Sequence, residues 1–241
     1  MPKFVELWVY LSATPLFGLT ATLVVYVLTQ AVYARLDQAA WANPVLWSVI
    51  VLACLLTLTG EDYQTYFSGA QFIHFLLGPA VVALAWPLWE RRTELLLRWR
   101  ALLLAALVGG AAASSSALAL GWALGLPHDV VLSLAPKSVT SPVAMGIADK
   151  IGGIPALAAV FTVITGMVGA LSGKALLSWL KVPPTAHGWM SQGFALGTAA
   201  HGIGAARALQ VNADAGAYAG LALGLQAVLA SLLIPLLFWL F

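Results

Sequence analysis

The sequence predicts an all-α, polytopic membrane protein with about seven or eight crossings. Of its 241 residues, 61% are hydrophobic and only 8% are charged, whereas soluble domains carry about 25% charged residues. The mean hydropathy is +0.94, and charged clusters divide the chain into stretches near the ~20 apolar residues of a membrane helix. The composition therefore excludes a nucleic-acid-binding protein, a soluble enzyme and a single-span receptor.

The predicted helices follow one another without linkers or soluble domains. The apolar run from about Val5 to Ala31 is longer than a signal-peptide core of ~7–15 residues, so we expect it to remain as the first helix. Asn43-Pro44 predicts the start of the second helix, because proline is favoured in a first turn. We expect residues 1–241 to form one transmembrane domain. The predicted helices span 4–33, 44–59, 62–90, 98–125, 129–149, 154–180, 185–209 and 214–241, with interruptions in the third, fifth and seventh.

The stretch 90–100 carries four arginines and indicates one cytoplasmic side of the membrane. By the positive-inside rule, basic residues near helix ends mark the cytoplasm, so we expect a cytoplasmic loop here. Counting crossings from this loop places Lys174 and Lys181 outside, against the same rule. The sequence therefore leaves the topology after residue 125 open.

Three segments have the composition of helix breaks: 77–80, 135–142 and 201–207. Proline removes a backbone N–H, and glycine tolerates the dihedral angles of a break. Ser141-Pro142 predicts a helix start with Ser141 at the N-cap position. Pro79 and Pro142 lie 63 residues apart in similar surroundings, which indicates a weak internal repeat, predicted to be inverted. Paired interrupted helices favour a transporter's binding site, although Gly78-Pro79 alone favours a simple kink.

The 136–142 segment has the residue types of an anion site. A helix end at Pro142 exposes N–H donors and a partial positive charge, and Lys137, Ser138, Thr140 and Ser141 surround it. A lysine at the bilayer centre costs ~2.5–3.5 kcal/mol or more, so it needs an acidic partner. That partner is Asp149, Glu61, Asp62 or a substrate carboxylate. The alternatives to substrate binding are an internal ion pair and a lysine that reaches the interface.

The third break contains His201, Gly202, Gly204 and Arg207. Imidazole titrates near neutral pH and could carry a coupling proton, although a hydrogen bond to a carbonyl explains a lone histidine more often. Arg207 either approaches the substrate or is a loop charge. The remaining histidines lack ligand spacing and no catalytic or nucleotide-binding motif is complete, so we predict no enzyme activity, cofactor or metal.

Five motifs together resemble the LrgB/CidB family over most of the chain. They are Tyr-x-x-Tyr-x-x-Gly-Ala at 63–70, Leu-Gly-Pro-Ala at 77–80, Pro-Lys-Ser-Val-Thr-Ser-Pro-Val-Ala-Met at 136–145, Ile-Gly-Gly-Ile-Pro-Ala-Leu at 151–157 and His-Gly-Ile-Gly at 201–204. The resemblance implies two functions. One is an antiholin-like protein that modulates murein hydrolase export and autolysis with an LrgA/CidA-type membrane partner. The other is small-carboxylate transport, since chloroplast relatives move glycolate and glycerate and bacterial relatives are linked to pyruvate.

The residues and the resemblance together predict a secondary transporter of small 2-hydroxy or 2-keto monocarboxylates, coupled to protons, in the bacterial inner membrane. The predicted substrate contacts are Lys137, Ser138, Thr140, Ser141, His201, Gly202, Gly204 and Arg207, with Asn43, Tyr63 and Tyr66 along the path. The expected partners are the carboxylate and the lipid bilayer, and no nucleic acid. An LrgA/CidA-like partner and a homo-oligomer are left open, and the alternative function is the antiholin-like role.

Overall fold

The computed structural model of this chain describes residues 15–37, 39–76, 79, 82, 85–90 and 92–240. The chain divides into two compact units, Met1–Ala80 and Val81–Phe241. All regular secondary structure in the described residues is helical, which confirms the predicted all-α class. Of the predicted break at 77–80, only Pro79 lies within the described residues.

The described part of the first unit consists of helices joined through hydroxyl groups. They are α1 (Pro15–Arg35), a 3-10 turn (Ala40–Ala42), α2 (Pro44–Thr59) and α3 (Tyr63–Phe75). Thr22 Oγ1 of α1 lies 2.7 Å from Tyr66 OH of α3, and Thr29 Oγ1 lies 2.8 Å from Ser48 Oγ of α2. The predicted bounds of α2 are confirmed, and the predicted residues 4–14 of the first helix lie outside the described residues.

The second unit carries most of the predicted helices close to their predicted bounds. They are α4 (Ala85–Glu90), α5 (Arg92–Ala123), α6 (His128–Leu134), α7 (Ser141–Ile151), α8 (Pro155–Trp179), α9 (Ala186–Val211) and α10 (Ala213–Leu240). The last three agree with prediction to within two residues. α5 begins six residues before its predicted start at 98, so most of the arginine-rich stretch is helical, with a non-helical backbone at Arg98. Leucine, glutamate and arginine are strong helix formers, and long arginine side chains reach the interface from a helix.

Several of these helices have the length and composition of membrane spans. Among the described residues, the four candidates are Leu16–Arg35, Leu96–Ala123, Pro155–Trp179 and Ala213–Leu240, and Pro44–Thr59 is a shorter apolar helix. The chain is therefore a polytopic membrane protein, as predicted.

The predicted interruption within 129–149 is confirmed, and it turns the chain back on itself. Residues 135–140 form turns between α6 and α7. α6 runs antiparallel to α5, because Gly121 packs against Val131 while Ser114 Oγ donates to the Ala135 carbonyl at 2.8 Å. α6 therefore leads from the Ala123 end of α5 towards the interior of the unit.

α7 then leads back along α8. Ser141 Oγ lies 2.6 Å from Thr162 Oγ1, while Ala148 shares a buried cluster with Ala158, so α7 and α8 run antiparallel. α6, residues 135–140 and α7 thus form a helical hairpin, the first hairpin, whose tip is 135–140. Both of its ends lie at the Ala123 end of the unit.

The predicted break in the 201–207 segment is also confirmed, at its first residue. Ala200 (φ −124°, ψ 16°) and His201 (φ 41°, ψ −135°) leave the helical region inside α9. A Cβ added at Gly204 would lie 2.6 Å from the Leu196 carbonyl oxygen, eight residues away in sequence, which a straight helix does not allow. α9 is therefore a second hairpin, with arms 186–199 and 202–211 and its tip at Ala200–His201.

The second hairpin opens at the opposite end of the unit from the first. Arg98 Nη1 lies 3.8 Å from Met190 Sδ, and a Cβ at Gly109 would lie 3.1 Å from Thr198 Cγ2. The first arm therefore runs parallel to α5 and begins beside Arg98. α10 is parallel to this arm as well, since Gly193 packs on Ala215 and Gly197 packs on Ala219. We refer to the two ends of the unit as the Arg98 end and the Ala123 end.

Candidate functional site

Thr162 of α8 joins the tips of the two hairpins. Its side chain is fully buried, and its hydroxyl donates to the Ala159 carbonyl at 2.7 Å. The Ser141 hydroxyl therefore donates to Thr162 Oγ1 across the 2.6 Å that separates them. The Thr162 carbonyl oxygen lies 2.7 Å from His201 Nε2, so Nε2 carries a proton and donates it. One residue thus connects the start of α7 with the kink of α9.

His201 is held in a conformation that few side chains adopt. Its positive φ with an extended ψ is a region used mainly by glycine, and it costs about 1–3 kcal/mol for other residues. The side chain is 4% exposed, and Gly166 makes room for it, since a Cβ there would lie 2.7 Å from His201 Nε2. The bond to a carbonyl is the simpler of the two explanations that the sequence allows for this histidine.

Lys137 lies at the tip of the first hairpin, with no acidic partner among the described residues of its own unit. Its side chain is half-buried, and Nζ donates to Ser138 Oγ at 3.3 Å. Asp149, a predicted partner, is exposed. Among the described residues of the second unit, no carboxylate forms a salt bridge with Lys137. The internal ion pair with Asp149 is therefore not formed, and the ammonium group is left for another anion.

The N-terminus of α7 faces the same tip. Thr140 rather than Ser141 occupies the N-cap position, and its side chain makes no capping hydrogen bond. The predicted N-cap is wrong by one residue, because the Ser141 hydroxyl forms a hydrogen bond with Thr162 of α8. The N–H donors of the first turn therefore keep their partial positive charge without a side-chain acceptor at the cap.

The remaining predicted residues of the third break lie at different places in the hairpin. Gly202 is exposed with open space around it, and Gly204 is buried where the two arms approach. Arg207 lies further along the second arm, where Nη1 donates to Gln210 Oε1 at 3.0 Å. A cavity of about 30 Å³ there is lined by Arg207 and Lys174. The structure brings His201 to Thr162, and it does not bring the Arg207 side chain there.

Asn43, Tyr63 and Tyr66 belong to the first unit. Asn43 caps α2, because its Oδ1 accepts hydrogen bonds from the two N–H groups of Val45 and Leu46. Tyr63 is exposed and stacks on another aromatic ring of α3. Tyr66 is half-buried and bonds to α1 through its hydroxyl. Each of them therefore has a structural role within its own unit.

Thr162 is the residue that the sequence reasoning missed. It stands in the apolar run Val160-Phe161-Thr162-Val163, and a polar side chain inside a membrane helix is a signal for function. Thr165, one turn further on in the same helix, carries the same signal. The sequence gives no reason to choose between them.

The site combines a cation, hydroxyl groups and unpaired N–H donors with one buried imidazole. The first three favour a bound anion, and the imidazole can exchange a proton. In the described residues, no group of three histidine, cysteine, aspartate or glutamate side chains could hold a metal ion.

One known protein family matches nearly the whole length of this chain. The LrgB-like family matches residues 22–240. The uncharacterized protein YxaC of Bacillus subtilis is 38% identical over 198 residues, which is 82% of this chain and 84% of that protein. The holin-like protein CidB of Staphylococcus aureus is 29% identical over 83% of this chain and 85% of its own length. The holin-like protein CidB of Staphylococcus epidermidis is 27% identical over 96% and 98%. No solved structure gives a significant match. The chain therefore belongs to the LrgB-like family.

Proposed function

We propose that this protein is a secondary transporter of small 2-hydroxy or 2-keto monocarboxylates, such as glycolate, glycerate, lactate or pyruvate. The observation that carries the proposal is the meeting of two helix breaks at the buried Thr162. Irregular backbone at membrane depth is stable only inside protein or beside water, and paired breaks are typical of transporter binding sites. An acid of this size matches one ammonium group, one helix end and a few hydroxyls.

The proposed roles follow from the chemistry of each side chain. Lys137, Ser138, Thr140 and Ser141 hold the carboxylate at the start of α7. His201 carries the coupling proton, and Gly202 and Gly204 allow the chain to reverse beside it. Arg207 attracts the anion from further along the second arm. We further propose that Asn43, Tyr63 and Tyr66 line the path.

An inverted repeat is part of the same proposal. α5 followed by the first hairpin and α8 followed by the second hairpin have the same order and opposite directions, which is typical of transporters. α8 begins 63 residues after α5, the spacing that Pro79 and Pro142 also have. We propose that two of the seven or eight predicted crossings are re-entrant segments, which enter the membrane and return to the same side.

The proposed orientation places the Arg98 end in the cytoplasm of a bacterial inner membrane. Two further basic residues lie at this end. Lys181 lies between α8 and α9, and Arg207 lies near the end of the second arm. The conflict with the positive-inside rule disappears, since each hairpin returns to the side from which it starts.

A holin-like role is the second candidate, and the names of the relatives favour it over transport. The matching proteins of Staphylococcus aureus and Staphylococcus epidermidis are holin-like CidB proteins. In this alternative, the chain modulates murein hydrolase export and autolysis, together with an LrgA/CidA-type partner or as a homo-oligomer. Its polar groups would then line a pore between copies.

Uptake into proteoliposomes separates the two functions. We expect saturable uptake of labelled glycolate that an inward proton gradient accelerates. Unlabelled lactate, pyruvate and glycerate should compete to different degrees, because each fits the same site differently. Leakage of acids and of uncharged sugars at equal rates, without saturation and without response to the gradient, would instead favour the pore.

A further inference from the structure

Two cavities of the second unit lie on either side of the middle of α5. The Arg98 cavity, of about 560 Å³, lies between α5, the first arm of α9 and α10, and it extends from Arg98 and His187 to Thr198. The Gln226 cavity, of about 360 Å³, lies between α5 and α10, and it extends from Gln226 to Phe238. All the residues that line them belong to the second unit.

The cavities extend towards opposite ends of the unit. Along α5 the first is lined from Arg98 to Gly109, and the second from Ala106 to Leu118. Since α5 and α10 are parallel, the Gln226 cavity extends towards the Ala123 end. The two cavities together therefore cover most of the length of the Leu96–Ala123 span.

Each cavity reaches the tip of one hairpin. The Arg98 cavity includes Thr198 and Ala199, immediately before the kink at Ala200–His201. The Gln226 cavity includes Ala135, the first residue of the first tip. A solute in either cavity is thus next to one of the two breaks that Thr162 joins.

The partition between the cavities is thin and polar. Gly109 and Gly110 lie at the midpoint of the 28-residue span. A Cβ at Gly109 would lie 3.1 Å from Thr198 Cγ2, and one at Gly110 would overlap the Gln226 amide. The glycine pair therefore lets a polar side chain of α9 and another of α10 approach the backbone of α5 at mid-span.

The polar atoms at this partition lack partners. Thr198 is 5% exposed and Gln226 is 6% exposed, and neither Thr198 Oγ1 nor Gln226 Oε1 has a hydrogen-bond partner among the described residues. A buried polar atom without a partner costs about 1–3 kcal/mol, and such atoms need an explanation in a native structure. Each of the two atoms lies beside a cavity, where a solute or water can supply the missing bond.

We propose that the two cavities are the two halves of one translocation path, and that Thr198 and Gln226 form its polar barrier across Gly109-Gly110. The path rests on the proposed function only for the identity of its solute, a small carboxylate. Two basic side chains, Arg98 and His187, line the Arg98 cavity, whereas only uncharged side chains line the Gln226 cavity. Anions are therefore attracted from the Arg98 end.

Single cysteines on α5 test the path without any transport assay. The background is Cys54→Ser, which removes the single native cysteine. Ala105→Cys lies in the Arg98 cavity, Ala111→Cys lies in the Gln226 cavity, and Val108→Cys lines neither. All three positions are exposed on the second unit, so differences in labelling report the access of water to each thiol rather than its burial in the protein. The probe is a charged, membrane-impermeant methanethiosulfonate, applied to intact spheroplasts and to inverted vesicles.

We expect Ala105→Cys to react from one side only, Ala111→Cys from the opposite side only, and Val108→Cys from neither. Each variant is first shown to be monodisperse, and its thiol is counted after denaturation. Labelling of both cavity positions from the same side would overturn the proposal, since both would then lie in one aqueous space. Labelling of neither would also overturn it, since lipid would then fill the cavities. The expected pattern combined with failed acid uptake would retain the path and reject the carboxylate.

Discussion

Lys137→Ala should raise the KM for acid uptake about 100-fold. A hydrogen bond to a charged group contributes up to about 3 kcal/mol, and every 1.4 kcal/mol is about tenfold in affinity. Among the residues that the structure describes in its own unit, Lys137 has no carboxylate partner, so in this account the substrate supplies that partner. Proteoliposome uptake over a range of glycolate concentrations measures the change.

The control for this prediction is Lys150→Ala, because Lys150 lies on α7 as well but is exposed. It should leave the KM unchanged. Stability separates a binding role from a structural one. Removing a lysine from membrane depth relieves a cost of at least ~2.5–3.5 kcal/mol, so Lys137→Ala should unfold in detergent at the same or a higher temperature. An unchanged KM in Lys137→Ala would reject the site.

His201→Gln should abolish the response of uptake to a proton gradient. Glutamine can still donate a hydrogen bond to the Thr162 carbonyl, but it does not titrate near neutral pH. Uptake rates with and without the inward gradient should therefore become equal, while the KM at zero gradient changes little.

The matched control is His128→Gln, since His128 is exposed at the start of α6. This variant should keep the full response to the gradient. A full response in His201→Gln would assign the coupling proton elsewhere and leave His201 with its structural bond to Thr162. Loss of all uptake in His201→Gln, with normal thermal unfolding, would likewise contradict a role limited to the proton.

Helix positions could be predicted from composition because apolar length and proline placement are local signals. The α2 bounds and the breaks at 135–140 and at His201 follow from Asn43-Pro44, the two prolines around Lys137 and the glycines after His201. The N-cap of α7 was displaced by one residue, because the Ser141 hydroxyl bonds to Thr162 in another helix. A contact between helices distant in sequence leaves no local signal.

The direction of the chain after each break was the part that the sequence did not reveal. Composition marks a break equally whether the chain continues across the membrane or returns. Counting the first of these interrupted segments as a crossing placed Lys174 and Lys181 on the wrong side of the positive-inside rule. The contacts of Gly153 with Ser133 and of Gly204 with Leu196 show that both segments turn back.

Only part of the candidate site could be predicted, because contacts between distant helices leave no local signal in the sequence. Lys137, Ser138, Ser141 and His201 stand beside the breaks and were accessible to local reasoning. Thr162, which joins them, lies in an uninterrupted helix and differs from Thr165 only in the face that it presents. Thr198 and Gln226 are likewise recognisable only after the hairpins are folded.

A cysteine at the tip of the first hairpin should be protected from modification when an acid binds there. In the Cys54→Ser background, Thr140→Cys places a thiol at the N-terminus of α7, where the native side chain makes no capping bond to lose. We expect a small thiol reagent to modify it, and glycolate to slow the modification saturably, with half-protection near the KM that the same variant shows for uptake. A thiol that reacts at the same rate with and without all four acids would contradict a binding site at the hairpin tips.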